Sequence, residues 1–202
     1  TVNQSFGVLV KTKGEYGKHL HHRLYSVADI PEIKHGKTTL KMLVKRCSYV
    51  DDFNGKSIQT WVYAKNREAG FFDFDEPTKK VLAYYSNYVG PYAYEKLANI
   101  QTPSVNGGME TSSAIFYGED LVNGKRDERT RNIVVHEIAH QWFGNAVTET
   151  TWDDAWLSEG FATFFTLLFI ENEYGKEEYN KGIIKAKKSV MDMTVKMPNF
   201  SI

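Results

Sequence analysis

The chain has 202 residues, of which 42% are hydrophobic, 14% aromatic and 25% charged, a composition that can bury a sizeable core and excludes a long disordered or low-complexity chain. Lys+Arg and Asp+Glu number 25 each, so the charge balance gives no footprint for nucleic acid or an anionic membrane. The longest apolar stretch, Gly160 to Ile170, is about half of the roughly 20 residues a membrane-spanning helix needs. The single Cys47 excludes an internal disulfide framework and any Cys-based zinc site.

The chain reads as an excerpt of a longer protein: Thr1 carries neither an initiator Met nor a secretion signal, and Ile202 follows a Pro198-Asn199 turn signal. Residues 1–38 are weakly patterned and punctuated by Gly14, Gly17, Pro31 and Gly36. Their clustered His19, His21 and His22 read as a polar surface loop rather than a second metal patch. Short β-type runs follow at Thr39 to Val44 and Ser57 to Ala64, the second after the turn signal Asp51-Asp52-Phe53-Asn54-Gly55, which predicts a hairpin. Val81, Leu82, Tyr85 and Val89 recur at helical spacing and predict a helix over 76–89, ended by Gly90-Pro91. Two more strands are expected at 99–103 and 113–117, separated by a Gly107-Gly108 loop. From Asp127 onward the pattern is helical. The first helix carries the stripe Ile133, Val134, Ile138, Trp142 and Phe143 and stops at Gly144-Asn145. A second helix spans about 154–174, with Gly175 as its stop, and a third about 176–194. In the second, Phe161, Phe164, Phe165 and Leu168 read as a core-facing stripe. Lys185, Lys187 and Lys188 read as a solvated face of the third. Strands first and helices after is the α+β pattern.

His136-Glu137-Ile138-Ala139-His140 places an HExxH motif inside the first of these helices. Residues four apart on an α-helix leave from one face, so both imidazoles can share one metal ion. Glu137, one residue on, can reach a water beside that ion without ligating it. A catalytic zinc with two His needs a third protein ligand and an open position. Glu159 is the candidate, because the intervening segment allows a short turn and a returning helix. With 6 His in the chain, a chance HExxH is expected only about 0.01 times, which disfavours two His and a Glu satisfied merely by core hydrogen bonds.

Three blocks, HEIAHQWFGN at 136–145, WDDAWLSEGFA at 152–162 and GGMET at 107–111, stand in the order and at about the separations found in the gluzincin aminopeptidases, the family of aminopeptidase N and leukotriene hydrolase. The chain resembles that family from about residue 39 to 179. The resemblance implies an α+β, thermolysin-like zinc peptidase catalytic domain over 39–202, incomplete at its C-terminus, with residues 1–38 as the tail of an N-terminal β domain. It implies one zinc ion per chain, with His136, His140 and Glu159 as ligands and Glu137 as general base. Gly107, Gly108, Met109 and Glu110 would form the substrate-binding segment. Glu110 would hold the free α-amino group of a peptide through a charge-assisted hydrogen bond, and side-chain-free Gly107 and Gly108 would let backbone approach an extended substrate.

This chain departs from the family's pattern at several positions. Thr111 stands where the family usually has Asn, and Ser158 replaces the more frequent Asn before the glutamate ligand. Thr163 occupies the place of an Asp that orients a His ligand in thermolysin-type sites, so a hydrogen bond from Thr163 is one reading of that position. The family's oxyanion-stabilising Tyr is expected beyond Ile202. Tyr179-Asn180-Lys181-Gly182 has similar letters but lies too soon after Glu159 and reads as a decoy, which leaves the excerpt alone expected to bind zinc yet turn over poorly. The function implied is an aminopeptidase cleaving peptides with free N-termini. A thermolysin-like endopeptidase and a zinc-bearing inactive binding module are the alternatives; Glu110 argues against the first and an intact Glu137 against the second.

Overall fold

The computed structural model describes residues 12–13, 20–21, 33–35, 38–40 and 46–196, with side chains from residue 51 onward. His19, His21 and His22 therefore lie outside the described side chains. The chain divides into two compact units, Thr1–Cys47 and Ser48–Ile202. The first contains two short antiparallel pairs, β1 (Thr12–Lys13) with β2 (Leu20–His21) and β3 (Ile33–His35) with β4 (Thr38–Leu40).

The second unit is built on a five-stranded sheet, ordered β5-β6-β7-β9-β8. β5 (Arg46–Phe53) and β6 (Lys56–Tyr63) flank Asn54-Gly55, whose φ angles of 52° and 78° suit the two-residue turn that matches strand twist. Asp52 Oδ1 accepts the Gly55 N–H at 3.1 Å and braces that turn. A two-residue turn fixes the register of both arms, so the first arm of the hairpin is 46–53 rather than the expected 39–44.

β6 runs parallel to β7 (Lys96–Thr102), and β7 parallel to β9 (Ala114–Gly118). Parallel neighbours require a crossover. Between β6 and β7 it is helical: α1 (Arg67–Gly70), one wide π-type turn (Phe71–Asp75) and α2 (Glu76–Tyr88). Pro77 has no N–H for the carbonyl four residues back, and the wide turn sits where that bond is missing. The segment expected as a Gly107-Gly108 loop contains β8 (Gly108–Met109), which pairs antiparallel to β9 with Gly108 opposite Tyr117 and Met109 opposite Phe116. A helical crossover therefore stands between the strands, and the fold is α+β on a mixed sheet in which β6, β7 and β9 run parallel while β8 pairs antiparallel at the edge.

Three helices follow: α3 (Glu128–Ala139), α4 (Ala155–Tyr174) and α5 (Lys176–Lys196). The core joins Ile58, Val62, Leu97, Ile115 and Tyr117 of the sheet to Val81, Leu82 and Tyr85 of α2, Val134, Val135 and Ile138 of α3, and Ala162, Phe169 and Ile170 of α4. The Phe stripe expected to face this core does so only in part. Phe165 packs on Phe143 with centroids 4.5 Å apart, but Phe161 and Phe164 are 37% and 45% exposed, because the buried face of α4 is set by Ala162, Thr166, Phe169 and Ile170. No residue of α5 is buried. Among the described residues, no helix is long and apolar enough to cross a membrane.

Candidate metal centre and the loop facing it

The entry to α3 is fixed by carboxylates. Asp73 is fully buried and accepts the backbone N–H groups of Asn123, Gly124 and Arg126 at 2.8, 2.7 and 3.0 Å, which shapes the loop leading into the helix. The Arg126 guanidinium lies 4.0 Å from the Phe72 ring centroid and donates to Glu76 at 2.9 Å. Asp127 is the N-cap: its side chain accepts the Thr130 N–H at 2.9 Å, satisfying one of the free N–H groups of the first turn.

At the other end of α3 the HExxH residues face α4. His136 Nε2 and His140 Nε2 are 3.0 Å apart, and Glu159 Oε2 lies 3.2 Å from the first and 3.5 Å from the second. Among the described residues these three are the group of His, Cys, Asp or Glu able to hold a metal ion. The triangle fits one: ligand atoms about 2.0–2.1 Å from a tetrahedral zinc sit roughly 3.3 Å from each other. The tautomer of His140 fits as well. Its Nδ1 lies 3.0 Å from the Phe143 carbonyl, which can only accept, so Nδ1 carries the proton and Nε2 presents its lone pair to the cluster.

Ser158 Oγ is 3.1 Å from the same Nδ1. A Cβ on Gly144, which sits at φ +109°, would come within 2.3 Å of that hydroxyl, so the turn after α3 is tight enough for His140, Phe143 and Ser158 to meet. The side chain orienting a histidine is thus Ser158 and not Thr163, which is exposed on the next turn of α4 and lines the cavity beside His136. The residue before the glutamate gave a sequence signal for this, because a serine there can reach back across the turn, but only the folded turn shows which histidine it meets.

The charges of the cluster are interdependent. Contact with the His136 and His140 imidazoles holds the Glu159 carboxyl far below the usual carboxylate range, against some burial. Burial pulls His140 down, and Glu159 beside it more than offsets this, so the net direction is up. Glu137 is buried. Desolvation pushes its carboxyl up to about 7, against the pull of the two imidazoles and with added push from Glu110 and Glu159.

The GGMET segment lies against this helix. A Cβ at Gly108 would come within 2.3 Å of the Glu137 carboxyl, so only glycine lets β8 rest on that side chain. Met109 is exposed and Glu110 half-buried, and the charge of Glu110 acts on both Glu137 and His140. The Glu110 carbonyl accepts Gln141 Nε2 at 3.1 Å and Asn145 Nδ2 at 2.6 Å, while Gln141 Oε1 accepts the Ser113 N–H at 2.8 Å. Gln141 and Asn145 lie within the HEIAHQWFGN block, yet nothing in their spacing says that they grip a loop more than 25 residues earlier. Tyr179 is half-buried in the first turn of α5, with the Lys176 ammonium 4.3 Å from its ring centroid.

Two histidines from one helix and a carboxylate from the next, with a buried glutamate after the first histidine, define a metallopeptidase-type centre. Residues 72–199 match the Peptidase family M1 domain, and the chain belongs to that family. It is 34% identical over 128 residues to glutamyl aminopeptidase of Mus musculus, covering 59% of this chain and 13% of the relative. It is 41% identical over 100 residues to glutamyl aminopeptidase of Bos taurus, covering 45% and 10%. To aminopeptidase N of Homo sapiens it is 31% identical over 153 residues, covering 70% and 16%. The chain therefore spans 10–16% of the length of these relatives.

Proposed function

We propose that this chain carries the metal-binding heart of a zinc aminopeptidase with a thermolysin-like catalytic domain, acting on peptides with a free N-terminus. The observation that carries the reading is the juxtaposition of two kinds of group: a two-His, one-carboxylate cluster fit for zinc and an acidic loop, Gly107 to Glu110, resting on the glutamate between the histidines. His136, His140 and Glu159 would hold the zinc ion, which when bound would supply Lewis acidity toward a peptide carbonyl and water. Glu137 takes the proton from the attacking water and passes it to the leaving amine. A carboxyl drawn toward neutrality by burial is matched to that two-way task. Glu110 pairs with the terminal ammonium of the substrate. β8 is the last strand of the sheet, and its outer edge offers backbone groups to an extended peptide.

The deciding experiment compares hydrolysis of free and N-acetylated aminoacyl substrates by the full-length zinc-loaded protein and by its Glu110→Ala variant. Strong preference for the free amine, and a raised KM with a narrowed preference in the variant, is the expected result. Equal cleavage of both substrates by the unaltered enzyme would remove the exopeptidase reading.

A further inference from the structure

Gln141 is the residue after the buried ligand His140, and it is itself fully buried. Its amide can be placed only one way, because the Ser113 N–H must donate to Oε1 and the Glu110 carbonyl must accept from Nε2. A primary amide buried this deeply is costly without partners; its two shortest bonds go to the loop opposite, and a longer one of 3.5 Å reaches the Glu137 carbonyl one turn back on its own helix. Asn145 adds a second donor to the same Glu110 carbonyl. At the far end of that loop Ser113, which is not glycine, sits at φ 60°. Such a conformation persists only where its surroundings over-determine it. Here Gln141 holds the Ser113 N–H, and the Ala98 N–H donates to the Ser113 carbonyl at 3.0 Å. One side chain therefore grips both ends of the Glu110–Ser113 loop.

We propose that Gln141 is a positioning residue that ties the Glu110 loop to the end of the metal-ligand helix and so sets the span between the substrate's amine and the bond that is cut. The proposal rests on the reading of Glu110 as the amine anchor. Because Gln141 is joined to His140 by one peptide bond, any shift of the helix end carries the ligand and the anchor together. A substrate pinned by its ammonium at Glu110 must then place its first carbonyl at the His pair. A loosened loop lets the carboxylate drift from its place and weakens that pinning, so the loss falls on binding of the free-amine substrate.

The test uses the full-length zinc-loaded protein. Gln141→Met keeps the length of the side chain and removes both hydrogen bonds to the loop. Gln141→Glu keeps acceptance from Ser113 and removes donation to Glu110. Both variants are expected to retain one zinc per chain, to raise KM for free aminoacyl substrates about tenfold while kcat stays within about threefold, and to narrow the preference over acetylated ones. Asn145→Ala, at a less buried position, moves the same quantities by less and serves where a Gln141 variant does not fold. In a Glu110→Ala background the Gln141 effect on KM should largely vanish. Unchanged KM in folded variants, loss of zinc, or effects that multiply in full with Glu110→Ala would each overturn the proposal. If Glu110→Ala alone leaves the free-amine preference intact, the anchor reading fails and takes this proposal with it; if only the Gln141 variants are silent, the anchor reading stands.

Discussion

His140 and Glu159 point at the same spot under opposite conditions. The imidazole is 1% exposed and the carboxylate 63%. His140 is gripped from behind by the Phe143 carbonyl and Ser158 and stands on a helix whose Val134, Val135, Ile138 and Ala139 are all buried. Glu159 stands on a stretch of α4 where Trp156, Leu157 and Phe161 are open to solvent, and its recorded partners are the two imidazoles themselves. The contrast shows a centre with one built jaw and one drawn jaw. Packing fixes the α3 side, and electrostatic attraction aligns the α4 side.

The largest effect that tests this comes from removing each donor in turn. His140→Ala and Glu159→Ala should both abolish zinc retention and turnover in the full-length protein, since a two-ligand remnant does not meet the three-ligand requirement of a catalytic site. They should differ in the stability of the metal-free fold. His140→Ala empties a buried site and leaves the Phe143 carbonyl with only the longer bond from the Ser158 hydroxyl, a loss of about 2–4 kcal/mol. Glu159→Ala removes an exposed, solvent-screened pair and should stay within about 1 kcal/mol. Denaturant midpoints of the metal-free variants measure the difference, and equal destabilisation would erase the distinction between the two jaws.

Glu137→Gln probes the built jaw without touching a ligand. The amide fits the same slot against Gly108, so zinc content should stay at one per chain, while turnover falls by about 10²- to 10⁴-fold as the proton carrier is lost. Zinc analysis beside steady-state kinetics reads both quantities. Activity within a few-fold of the unaltered enzyme would assign the proton to another group.

What could be read beforehand follows the same division. The convergence of His136 and His140 was legible because a four-residue step on a helix is a statement about one face, and that geometry survives folding unchanged. The boundaries of α2, α4 and the first strand of the hairpin's return were legible from periodicity and turn residues, and fall within a few residues of 76–88, 155–174 and 56–63. The parallel pairing of β6, β7 and β9 was not, because a short apolar run does not record the direction of its neighbour. Phe161 and Phe164 were misjudged for a related reason: helical spacing identifies a face but not what covers it. Gln141, Asn145 and Ser158 act across gaps of 15 to 35 residues, and such contacts exist only once the β8 segment and α4 have been brought to the end of α3.

The smallest effect is expected at the opposite end of α3 from the ligands, at Asp127. Its carboxylate accepts the Thr130 N–H and, more weakly, the Asn123 amide, and these bonds lower its pKa from the ordinary 3.8. A carboxyl whose pKa is lower in the folded state stabilises fully above its unfolded value, and that contribution disappears as pH falls through the folded value. Asp127→Ala should therefore lower the melting temperature modestly and evenly from pH 5 to 8, and the gap to the unaltered protein should close as pH drops below about 4. Zinc affinity should not move, since His140 is fastened by Phe143 and Ser158 rather than by the start of the helix. A gap that widens in acid would mean that Asp127 is charged at a cost in the fold, and a fall in zinc affinity would mean that the built jaw depends on the whole length of α3 rather than on its last turn.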